Sequence, residues 1–154
     1  MIDRYTRTLL DPNPRIILVL NNVRYFCPFF QELVETEGNY VDVLNMLRKH
    51  FIRTISSMKD LDKKTVFMNI KELGETHAAF YQDILESVTG KSRKRIGEIF
   101  LEFKERFLKY GDYCSDLPKA QQTLDMITKK DERVREEILK CEMSANEGEH
   151  FYQG

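Results

Sequence analysis

Apolar residues recur at helical spacing along most of this chain. Leu33, Tyr40, Leu44, Leu47, Phe51 and Ile55 follow one another at steps of 7, 4, 3, 4 and 4. That spacing keeps a single stripe on one side of a helix. Proline suits a first helical turn, where its missing N–H would be unpaired anyway, so Pro28 marks a start. The pattern predicts a helix from 28 to about 56, roughly 40 Å long at 1.5 Å per residue. Gly38 inside it costs about 1 kcal/mol relative to alanine, which a packed helix of this length absorbs.

A polar break from Ser56 to Asp62 follows, then helical pattern over 63–87 in two pieces. Asn69 with Glu72 three positions on has the capping-box arrangement, predicting a new helix after a short one at Val66-Phe67-Met68. Its stripe is Leu73, His77, Phe80, Ile84 and Val88, which makes His77 a packed core histidine. The clearest amphipathic run is Ile96, Ile99, Phe100, Phe103, Phe107 and Tyr110. Ser115-Asp116-Leu117-Pro118 predicts a stop and a new start, with Ala120, Leu124 and Ile127 on a short helix. Asp131 is placed to cap a last helix bearing Val134, Ile138, Cys141 and Ala145, ended by Gly148. The expected fold class is an all-α helical bundle.

Residues 1–27 read as an irregular leader. Asp11-Pro12-Asn13-Pro14 is turn chemistry, and the five-residue run Ile16 to Leu20 finds no second strand to pair with. A bilayer span needs about 20 apolar residues, so that run cannot cross a membrane. Without a span or a signal-peptide pattern, the expectation is a soluble, cytoplasmic chain. A length of 154 residues fits one domain. With 24 Lys and Arg against 25 Asp and Glu, the net charge of −1 excludes a strongly basic nucleic-acid binder at whole-chain level. Three widely spaced cysteines, Cys27, Cys114 and Cys141, make no disulfide framework, and His50, His77 and His150 are scattered singly, so no metal site is expected.

Catalytic motifs are missing from the sequence. It contains no GxGxxG, GxSxG, GxxxxGK[ST] or HExxH, and Gly90-Lys91-Ser92 lacks the upstream glycine and strand of a phosphate loop. Lys91 to Arg95 is a basic loop, read either as solvated or as a peripheral contact for anionic membrane or nucleic acid. A second stripe on the first helix, Glu32, Thr36, Asn39 and Val43, runs beside the core stripe and on composition alone is merely solvent-facing.

That segment resembles the first signature helix of the Dbl-homology (RhoGEF) family. Glu32, Leu33, Thr36, Glu37, Tyr40, Val41 and Leu44 match its pattern E-L-x-x-T-E-x-x-Y-V-x-x-L in register. The stretch from Val66 to Leu73 with His77 and Phe80, and the stretch from Ile99 to Ser115, are similar to two further regions. The second of these, with Leu139-Lys140-Cys141 and Ala145-Asn146-Glu147-Gly148 downstream, is similar above all to the Vav subgroup. The resemblance covers about residues 28–150 and leaves 151–154 as a tail.

The resemblance implies an elongated helical domain that grips a Rho/Rac-type small GTPase and distorts its switch regions, so that GDP leaves and GTP enters. No bond is made or broken, so no catalytic residue and no cofactor is implied. Glu32 would contact the first switch of the GTPase, with Thr36 and Asn39 on the same flank. Leu33, Tyr40, Leu44, Leu47, Phe100, Phe103 and Phe107 would form the structural core. The family's third region, its final long helix and a pleckstrin-homology module have no counterpart before Gly154, and the Vav inhibitory segment is not recognisable around Tyr5 or Tyr25. The expectation is therefore a partial domain with little exchange activity. The alternative is a helical scaffold that binds protein partners without exchange.

Overall fold

The stripes fold as helices. The computed structural model describes residues 28–150, with side chains through 147. The expected leader over 1–27 and tail over 151–154 lie outside the described residues. Six α-helices run in order: α1 (Pro28–Met46), α2 (Asp60–Phe67), α3 (Ile70–Val88), α4 (Ile96–Phe107), α5 (Tyr110–Lys130) and α6 (Glu132–His150). A π-helical turn, Leu47–Ile52, extends α1. No strand occurs among the described residues, and the fold class is all-α.

Two compact units are built from these elements. One takes in 28–43 and Gly74–Glu105. Its buried residues include Val34 from α1, Phe80, Ile84 and Val88 from α3, and Ile99 and Phe103 from α4. The Phe80 ring meets Phe103 edge-on, with centroids 5.3 Å apart, and Phe100 at 5.1 Å. Such pairs add about 0.5–1.5 kcal/mol beyond their burial. Phe100 nevertheless departs from the expected core, being 42% exposed. It sits at the margin of the α4 stripe, so one ring edge packs on Phe80 while the remainder faces out.

The stripe on α1 is also displaced. Val34 is 1% exposed and Gly38 is buried, whereas Leu33 and Tyr40 are half-buried. Val34 and Gly38, one turn apart, share the buried side of the helix, and Leu33 lies at its edge.

The other unit takes in Leu44–Leu73 and 106–150. Phe51, Ile55, Met58, Val134 and Cys141 form its centre, with Leu47, Phe67, Leu124 and Ile138 packed against them. Leu44 is 3% exposed; Leu47 and Phe107 are half-buried. Burial pushes the Cys141 thiol up from its ordinary value.

Several boundaries differ from the sequence expectation for identifiable reasons. A wider turn over Leu47–Ile52, where the Arg53 N–H reaches the Arg48 carbonyl at 3.3 Å, interrupts the expected α-helix, while Phe51 and Ile55 stay inside. Helix α3 starts beside Asn69 as expected, but Glu72 pairs with Lys109 instead of closing a capping box. Met68, at the joint between α2 and α3, has φ of 38°, a left-handed conformation that favours glycine and costs about 1–3 kcal/mol. Helix α5 runs straight through Pro118. Residues 114–119 are exposed, so the carbonyl that proline cannot bond is open to solvent. Gly148 does not end α6, which continues to His150.

Asp131 caps α6 as its spacing predicts, its Oδ1 accepting from the Arg133 N–H at 3.0 Å. A second carboxylate fixes the turn after Ile55. Glu137 on α6 accepts from the Ser56 hydroxyl at 2.7 Å and from the N–H groups of Ser56 and Ser57 at 3.1 and 2.9 Å. The Ser56 hydroxyl and then the Ser57 N–H hold its carboxyl below the usual range.

Two outcomes follow. Leu44→Gln should lower stability by about 3 kcal/mol by burying an unpaired amide, seen as a fall of roughly 10 °C in Tm by circular dichroism. For Glu137 the folded pKa lies below the unfolded one, so its contribution is complete above the unfolded value and is lost as pH falls through the folded value. Thermal melts should show Glu137→Ala below wild type at neutral pH, with the gap narrowing as pH falls below the ordinary carboxylate range.

Candidate functional site

Helix α1 divides its polar groups into two populations. At 100° per residue, the flank carrying Glu32, Thr36, Asn39 and Val43 lies about 140–200° around the helix from Val34. Once Val34 replaces Leu33 as the buried reference, this flank is the side turned away from the unit's core.

The inward groups are engaged within the unit. Glu37 reaches across to α3 and pairs with Nδ1 of His77. His77 is only 7% exposed, and the Tyr40 ring meets its imidazole edge-on at 4.6 Å. Thr76 beside it is also buried. Among the described residues no buried side-chain polar atom lacks a partner. Tyr81, on the same helix, has its phenol pushed up by burial and then by the charge of Asp42. His77 therefore performs the packing role its place on the stripe implies, with a specific carboxylate that periodicity does not identify.

Two of the outward groups, Glu32 and Thr36, are not so engaged. Glu32 and Thr36 are exposed and make no hydrogen bond or ion pair among the described residues. Gln31 and Glu35 flank them and bond weakly to each other at 3.4 Å. Asn39 is half-buried, less fully presented than the other two. At the head of the same helix stands Phe29, 64% exposed, with its ring edge-on to Phe30 at 5.6 Å. Phe29 stands four residues before Leu33, at the edge of the apolar stripe, and spacing alone does not report that it stays exposed at the helix head.

The basic loop is a defined turn. Gly90 adopts φ of 73° at the end of α3, the Ser92 N–H donates to the Glu86 carbonyl at 3.0 Å, and the Ser87 hydroxyl donates to the Lys94 carbonyl at 2.6 Å. Glu98 accepts from the Arg95 N–H at 2.7 Å and caps α4. Lys94 pairs with Glu102 at 2.7 Å, and that bond raises the Lys94 amine. Lys91, Arg93 and Arg95 remain exposed and unpaired among the described residues. No group of three or more His, Cys, Asp or Glu is arranged to hold a metal among those residues, and no helix there is long and apolar enough to cross a membrane.

The chain is similar to known proteins in sequence and in fold. The RhoGEF domain family matches residues 29–151. Mouse proto-oncogene vav is 32% identical over 123 residues, covering 79% of this chain. Human guanine nucleotide exchange factor VAV3 is 32% identical over 129 residues, covering 83%. The chain spans 15% of the length of each of these relatives. An autoinhibited Dbl homology domain solved by NMR superposes with a TM-score of 0.67 at 32% identity, covering 76% of this chain and 57% of that one.

The two acids on α1 should behave oppositely in denaturant titrations. Glu37→Ala removes the carboxylate paired with the buried His77 and should cost about 1–3 kcal/mol. Glu32→Ala removes a solvated group and should stay within about 0.5 kcal/mol of wild type.

Proposed function

The chain belongs to the RhoGEF domain family, and from that membership we propose that it is a guanine nucleotide exchange module that binds a Rho/Rac-type small GTPase through the outer flank of α1. The observation that carries the reading is Glu32, exposed and uncommitted on a helix whose opposite side is pinned by Val34 and the Glu37–His77 pair. A fixed carboxylate of this kind offers a charge-assisted contact without the entropic cost of ordering a loop. Thr36 extends the same surface, and Asn39 contributes from its edge.

Exchange of this kind is differential binding. A partner that holds the nucleotide-free GTPase more tightly than the loaded form lowers nucleotide affinity by the same factor. The protein needs a rigid surface and no acid, base or metal of its own, and in this reading it is a regulator and not a bond-making enzyme. Its place of action is then the cytoplasm, where such GTPases work. Lys91, Arg93 and Arg95, outward and unpaired, support a peripheral contact with anionic membrane during that action.

Binding of the full chain to nucleotide-free Rac- and Rho-type GTPases tests the reading, with release of labelled GDP followed in parallel. Saturable binding that falls at least tenfold in Glu32→Ala is expected, and unchanged affinity in that variant contradicts the assignment. Accelerated release supports exchange. Saturable binding without acceleration supports the scaffold reading instead.

A further inference from the structure

We propose that Phe29 is an aromatic anchor for the same GTPase partner, inserted into an apolar recess beside whatever cation receives Glu32. The inference rests on the reading of the α1 flank given above and adds a residue to it. Phe29 stands three positions before Glu32, so the two side chains are neighbours on the helix surface, about 60° apart. It lies within about 20° of Thr36, two turns further on, which makes Phe29, Glu32 and Thr36 one continuous outward strip.

Exposure alone does not single Phe29 out, because Leu61 and Leu101 are more exposed at 75% and 74%. Position does. Phe29 shares its strip with two polar side chains that have no partner among the described residues, while Gln31 with Glu35 and Glu37 with His77 are committed internally. Its ring meets that of half-buried Phe30 edge-on. An aromatic side chain has only two χ angles to order on docking. An aromatic anchor next to a charge is also the composition that concentrates binding energy in a protein interface. The partner chemistry is thus a protein surface presenting a hydrophobic pocket within one helical turn of a basic side chain, and the committed occupant is the GTPase.

Titration of the full chain against nucleotide-free Rac- and Rho-type GTPases decides the matter, with thermal melts run on each variant. Phe29→Ala should weaken binding about tenfold or more at unchanged Tm and helicity, as hot-spot truncations do. Phe29→Leu should fall between, and Leu101→Ala should bind as wild type. Loss of binding in Glu32→Ala with Phe29→Ala within twofold of wild type overturns the anchor and leaves the Glu32 reading standing. A lowered Tm in Phe29→Ala places the ring against its own chain and also overturns it. An equal loss in Leu101→Ala reduces the effect to general stickiness and sinks the anchor too. Absence of binding by wild type, or indifference of both Glu32→Ala and Phe29→Ala, removes the Glu32 reading and the anchor together.

Discussion

The contact between Glu37 and His77 decides how α1 is presented. It joins α1 to α3 through a nearly buried imidazole, which the Tyr40 ring covers from one side. Together with Val34 it fixes the rotation of α1 about its own axis. A helix held that way has one side left for partners, and Phe29, Glu32 and Thr36 occupy it. Without the pair, the same sequence would carry a carboxylate at 32 but no defined direction for it.

This arrangement separates two uses of acidic residues that look alike in sequence. Glu37 and Glu137 are structural, one bonding a histidine and the other gathering the hydroxyl and N–H groups of a turn. Glu98 caps a helix and Glu102 neutralises Lys94. Glu32 does none of this. Other exposed acids, Asp60 and Glu105 among them, are unused too, so what marks Glu32 is its place on the outer flank of α1. The same sorting applies to the cations of the 91–95 loop, where Lys94 is paired and Lys91, Arg93 and Arg95 are not.

Much of this is legible in the residues. The stripe Leu73, His77, Phe80, Ile84 and Val88 is buried throughout, because α3 is a regular helix whose period the spacing reports directly. Asp131 as a cap is legible for the same local reason. Legibility fails where tertiary context overrides a local rule. Pro118 is tolerated because its turn faces water, and the π-turn after Met46 has no signature in the apolar spacing. Phe100 reads as core from its spacing and stands at the margin, since a stripe says which side faces inward but not how wide the cover is. On α1 a one-residue shift from Leu33 to Val34 is invisible in spacing alone and changes the geometry of the flank. Phe29 reads as the first member of the α1 stripe, and its exposure at the helix head is not visible in spacing.

The claim on which the account depends is that the outer strip of α1 receives the GTPase. Backbone amide shifts of the labelled chain, followed by NMR during addition of nucleotide-free GTPase, test it without any mutation. The account predicts perturbations concentrated on residues 29–39 of the exposed flank, with α6 and the Ser56 turn quiet. Shifts centred on α6 or on the 91–95 loop, with α1 unmoved, would contradict it.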